Sequence, residues 1–111
     1  MENPVDFDNL REITGGDREL ETELFQDFLS SSTECIMGMQ SSLAENDEST
    51  WRKQAHALKG ICLNLGARPM AELCKSAQED YRALNQDKMT TLEAIKQELV
   101  RVREAIKTIS V

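Results

Sequence analysis

From Leu92 to Ile109 the apolar residues Leu92, Ile95, Leu99, Val102, Ile106 and Ile109 stand at alternating spacings of three and four. That period places all six on one face of an α-helix and on both faces of a strand. The same period governs every long segment of the chain, and no stretch alternates with period two. Leu20, Leu24, Phe28, Cys35, Met39 and Leu43, thickened by Phe25, Leu29 and Ile36, mark a helix over Asp17–Leu43. Trp51, Ala55, Leu58, Cys62 and Leu65 mark the next, and Met70, Leu73, Cys74, Ala77, Tyr81 and Leu84 the one after. Ahead of them "VDFDNLREI" predicts a short helix with Phe7, Leu10 and Ile13 turned inward. The last segment spans fewer than three full heptads, too few for a separate coiled coil.

The breaks between these segments have chemical causes. Gly15-Gly16 ends the short helix, and Asp17 is a suitable N-cap, with Glu19 and Glu21 in the first turn. "AENDES" separates the second and third helices, with Asp47 or Ser49 able to cap the latter. Gly66 suits the residue just past a helix end, Pro69 the first turn of the following helix, and "NQDK" a turn before the last one. Long amphipathic helices joined by short turns pack as antiparallel neighbours. The expected fold is therefore all-α: an up-down antiparallel four-helix bundle with a short N-terminal capping helix, in a single domain over residues 1–111.

Composition excludes several functions. Acids outnumber bases 20 to 13, for a net charge of -7. A chain this acidic lacks the general basic face that nucleic acid requires. The three cysteines, Cys35, Cys62 and Cys74, have no C-x-x-C spacing and fall on the apolar stripes. They read as small buried hydrophobes in a reducing compartment. "MENPVDFDNL" has neither basic residues nor an apolar run, and nothing approaches a membrane span. A cytoplasmic location is the default expectation, a monomer the default state, and Met1 favours a free-standing protein.

The single histidine, His56, lies on the third helix about 140° from the centre of its apolar stripe, taking 100° per residue. It should face solvent. Arg52, Lys53, Lys59, Gly60 and Leu63 share its face, and no acid occurs from Ser49 to Ala71. An uncharged imidazole carries a lone pair that is a nucleophile. Lys59 is placed to neutralise a phosphoryl group received there. Gly60 bares the backbone so that a partner can come close, and Leu63 offers an apolar contact. A lone histidine among solvated cations is, equally, an ordinary surface. A metal site in a bundle needs Glu-x-x-His pairs or several histidines, and residue 53 is Lys.

"HALKGICLNLGA" resembles the signature of histidine-containing phosphotransfer (HPt) domains, with His56, Leu58, Lys59, Gly60, Cys62, Leu65, Gly66 and Ala67 in register. "LREITGGDRELETELFQDFL" is similar to that family's short helix, turn and first long helix. The resemblance implies that His56 takes a phosphoryl group on Nε2 from a receiver-domain aspartate and passes it to another receiver. It also implies that Lys59 binds the phosphoryl oxygens, that Gly60 leaves room for the receiver, and that Gln78 hydrogen-bonds the imidazole. Arg82, one turn beyond Gln78, corresponds to a base found in some relatives, and both would face the third helix. Arg52, Lys53, Leu63 and Arg82 become candidate docking residues, on a face built by the second and third helices. The implied partners are response-regulator receiver domains and a hybrid sensor histidine kinase. No cofactor is implied for this chain, and magnesium belongs to the receiver.

Ile61 departs from the family pattern, which has a small residue there. It lies at the edge of the core stripe, where it should pack sideways against a neighbouring helix. A sensor kinase is excluded by Ala57, where an acid usually follows the histidine, and by the lack of nucleotide-binding motifs and of room for an ATP domain. A bundle that docks receiver-like partners without carrying phosphate is the alternative.

Overall fold

The computed structural model describes residues 3–109. Met1, on which the free-standing expectation leaned, lies outside them. Five helices follow in order: α1 Phe7–Thr14, α2 Arg18–Glu45, α3 Glu48–Leu65, α4 Arg68–Glu79 and α5 Asn85–Ile109. The long helices form a ring in which α2 packs on α3, α3 on α4, α4 on α5, and α5 back on α2. This is the expected all-α bundle, with α1 across one end.

Local chemistry sets the helix ends. The Asp17 carboxylate accepts from the Leu20 amide at 3.1 Å, and Asp47 accepts from the amide and hydroxyl of Thr50 at 3.0 and 2.6 Å. These bonds satisfy donors that a helix start leaves free. The Thr50 hydroxyl bond, followed by the amide bond, holds the Asp47 carboxyl below its ordinary pKa. At the far end of α3, Gly66 takes the left-handed conformation at φ 84°. The amides of Gly66 and Ala67 return to the carbonyls of Leu63 and Cys62 at 3.2 and 2.8 Å, a Schellman closure. The Gly66 carbonyl then accepts from the Asp6 amide at 2.9 Å, and Arg68 pairs with Asp6 at 3.6 Å. The N-terminal segment is thereby fastened to the α3–α4 corner, with Val5 buried against it.

The core is drawn chiefly from the predicted stripes, joined by Val5, Ala67 and Ala71. All five stripe residues of α3 are buried, as are Leu92, Ile95, Leu99, Val102 and Ile106 of α5. Trp51 crosses from α3 to α4, where its indole N–H donates to the Ala77 carbonyl at 2.8 Å. That carbonyl lies in the last turn of α4 and has no partner further along its own helix. Cys35, Cys62 and Cys74 are free thiols buried on three successive helices. A hydrogen bond with Cys74, then burial, pushes the Cys62 thiol far above its ordinary pKa, and burial raises Cys35.

Three expectations need correction. Ile13 is 64% exposed. On the two-turn α1 the buried line runs from Leu10 to Thr14, whose hydroxyl donates to the buried Glu21 carboxylate at 2.9 Å. Leu20, one turn into α2, is likewise exposed at the bundle end. Third, α4 stops at Glu79, so Tyr81 and Leu84 belong to the following turn and Leu84 is 75% exposed. The turn occupies Asp80–Leu84, closed by an Ala83 amide bond to the Asp80 carbonyl at 2.8 Å. "NQDK" is accordingly the first turn of α5, where Asp87 suits the helix dipole.

Candidate functional site

The site is built on the middle of α3, whose inner face is pinned by Trp51, Ala55, Leu58 and Cys62. A helix so held presents its opposite side at a fixed orientation. His56 lies there, exposed, with Arg52 one turn before it and Gly60 one turn after, both exposed. Lys53 is exposed as well, and Leu63 is 55% exposed. Lys59 is half-buried. The sequence-predicted cluster on α3 is thus brought together on one outward face.

Gly60 and Gly38 show how differently two helical glycines are used. A methyl group built on Gly38 of α2 would meet the Gln54 side chain at 2.8–3.0 Å, so Gly38 allows α2 and α3 to approach closely. A methyl group on Gly60 would meet nothing within 4 Å. No packing among the described residues requires that glycine. Its helix-propensity cost of about 1 kcal/mol finds no return within the chain.

Gln78 is half-buried near the end of α4, next to the Ala77 carbonyl that receives the Trp51 indole. Among the described residues, the side chains of His56, Lys59 and Gln78 make no hydrogen bond or ion pair with one another. Arg82 is not one helical turn beyond Gln78, because α4 has already ended at Glu79. It lies in the turn, with its guanidinium carbon 5.1 Å from the centre of the Tyr81 ring. Arg52 reaches the same ring from α3, at 4.8 Å. Arg82 is therefore tied to the α3 face by an aromatic contact rather than by helical register. Tyr81 is partly buried against the core, as the stripe implied, and is also a member of this surface, which periodicity did not show.

On the other flank, Ile61 is half-buried and lines a groove of about 200 Å³ with Leu24, Asp27, Phe28 and Leu65. It packs sideways towards α2, as expected, and leaves the ground around Gly60 open.

A helical bundle that presents a single solvent-facing histidine between cations and a bare backbone position defines a class of small signalling domain. The Hpt domain family matches residues 23–105, and the chain belongs to that family. Its fold is similar to that of the histidine-containing phosphotransfer protein B (HptB) from Pseudomonas aeruginosa PAO1, at a TM-score of 0.88 and 24% identity. That likeness covers 99% of this chain and 96% of the other. No curated protein sequence matches this one. The chain is a two-component phosphorelay protein of the histidine-phosphotransfer kind. Among the described residues, no helix is long and apolar enough to cross a membrane.

Proposed function

We propose that His56 is the phosphoryl-carrying residue of a relay between receiver domains. The Nε2 lone pair attacks the phosphorus of a receiver's aspartyl phosphate in line. The P–O bond to the aspartate breaks, the carboxylate leaves with its electron pair, and an N–P bond forms. Return to a second receiver's aspartate runs the same exchange backwards. Because the chemistry is displacement at phosphorus, positioning and charge neutralisation govern its rate. Lys59, half-buried one turn along, neutralises the phosphoryl oxygens, and the open position at Gly60 admits the receiver's surface. Gln78 hydrogen-bonds the imidazole once the partner orders the site. Magnesium is contributed by the receiver.

The observation that carries this reading is the pairing of an exposed His56 with a neighbouring glycine that no packing among the described residues requires. The protein is then a carrier and a substrate, with no kinase activity of its own. It acts as a monomer in the cytoplasm, loaded through a hybrid sensor kinase, and Arg52, Lys53, Leu63 and Arg82 border the docking face. Intact-mass analysis after incubation with phosphorylated receiver domains tests it. The expected product gains one phosphoryl group, labile in acid and stable in base, and His56→Gln gains none. Transfer that persists in His56→Gln refutes the assignment. A chain that binds receivers and never gains mass is an adaptor.

A further inference from the structure

We infer that Tyr81 is a positioning residue whose ring gathers the guanidinium groups of Arg52 and Arg82 into one cationic clamp beside His56, directed at the anionic rim of a receiver's phosphorylated aspartate. The inference rests on the phosphotransfer reading above and adds to it the element that orients the partner's charge.

Three observations support it. First, the two arginines come from different elements, α3 and the Asp80–Leu84 turn, yet both guanidinium carbons lie within about 5 Å of one ring centre, at 4.8 and 5.1 Å. Both distances fall inside the range at which an aromatic quadrupole attracts a cation. Each cation is drawn to the ring by the negative charge of its faces. Second, among the described residues neither arginine has an ion pair or hydrogen bond, although Glu79 and Asp80 precede Tyr81 in the chain and Glu48 lies one turn before Arg52. In a protein with 20 acids, two arginines are left without an anion and are held on an aromatic ring instead. Third, Arg52 is four residues before His56 and exposed like it, so the clamp stands one helical turn from the histidine.

Tyr81 is itself fixed. The indole of Trp51 holds the end of α4 through the Ala77 carbonyl, and the Asp80–Ala83 bond closes the turn that presents the ring. Two long side chains are therefore ordered before a partner arrives, which lowers the entropy cost of docking. A guanidinium presents a planar fork of donors suited to phosphate and carboxylate oxygens. A pair of them matches the doubly charged aspartyl phosphate and the acids that surround it in the receiver. The clamp acts on encounter and orientation, so its loss should appear in the receiver concentration needed and in salt dependence, not in the intrinsic reactivity of His56.

The test compares wild type, Tyr81→Leu, Tyr81→Phe and the double variant Arg52→Ala/Arg82→Ala. Two measurements are made: transfer from a titrated phosphorylated receiver, and partner-free labelling of His56 by phosphoramidate. Tyr81→Leu should raise the receiver KM about fivefold, the scale expected for losing two exposed cation–π contacts. Its maximal rate and its phosphoramidate labelling should stay near wild type, and its transfer should depend less steeply on salt. Tyr81→Phe, which keeps the ring face, should restore the wild-type KM. The double arginine variant should reproduce the leucine effect, and it decides the matter if Tyr81→Leu does not fold. Equal KM in wild type and either disruptive variant overturns the clamp and leaves phosphotransfer standing. Equal impairment of the leucine and phenylalanine variants, or loss of phosphoramidate labelling in Tyr81→Leu, assigns Tyr81 another role and also overturns it. A wild-type protein that is labelled by phosphoramidate and takes nothing from receivers refutes the phosphotransfer reading itself.

Discussion

Replacing Gly60 by alanine should separate the needs of the fold from those of the reaction. Gly60 sits mid-helix on α3 with helical φ, and a methyl group there would touch no atom within 4 Å. No clash penalty therefore enters. What remains is intrinsic helix propensity, which favours alanine over glycine by about 0.8–1.0 kcal/mol at an exposed interior position. For a domain of this size that gain raises the melting temperature by about 4 °C. The same methyl group projects into the space a docking receiver must occupy beside His56. Displacing the acyl phosphate from its in-line position by a fraction of an ångström costs roughly ten- to a hundredfold in rate. Thermal denaturation followed by circular dichroism, together with single-turnover transfer from a phosphorylated receiver, measures both effects on one sample. Gly60→Ala should be more stable and slower. A variant that is more stable and transfers at the wild-type rate would show that the bare position serves no partner. A less stable variant would show that the space around Gly60 has been misjudged.

Lys59→Ala should slow transfer at least tenfold with little change in helix content, since removing one charge-stabilising donor has effects of that scale or larger; equal losses of both, by rate assay and circular dichroism, would make Lys59 structural. Asp47→Ala should lower the melting temperature, and the deficit should depend on pH. The folded-state pKa of Asp47 is depressed by its bonds from Thr50, so its contribution is fully present above the unfolded value near 4 and is lost as pH falls through the folded one. The gap between the two proteins' melting temperatures should begin to narrow as pH falls below about 4 and close only below the folded-state value, and a constant gap would refute the cap assignment. Trp51→Phe should cost about 1–3 kcal/mol in urea denaturation, because the buried Ala77 carbonyl loses its indole donor. A neutral result would mean that another group satisfies that carbonyl.

The fold was legible in the sequence wherever a helix had a deep apolar face. The stripe of α3 named its buried residues one by one, and that of α5 named the buried apolar ones while missing Lys88 and Glu98; Asp17 marked the start of α2, and Asp47 and Gly66 the ends of α3, because capping and left-handed geometry admit few residue types. Legibility failed where one period was extended past its cause. Tyr81 and Leu84 continue the spacing of α4, but the helix has ended at Glu79, and periodicity alone cannot sense an end that lacks a glycine or proline. Ile13 failed for a related reason: the end of a bundle offers contacts to only part of a short helix, and the satisfied Thr14–Glu21 pair took the inward place. The α3 part of the site was readable because its residues share one helix. Tyr81 was not, because its neighbourhood with Arg52 arises from tertiary packing across a turn. The buried hydroxyls of Ser32 and Ser42 were also silent in the sequence, since serine on an apolar stripe looks like an interruption.

The bond from the Asp6 amide to the Gly66 carbonyl joins points remote in the chain and lies outside every helix ladder. That amide is a built-in clock for one event. Its deuterium uptake times the detachment of the N-terminal latch, while amides in the middle of α3 and α5 wait for the whole bundle to open.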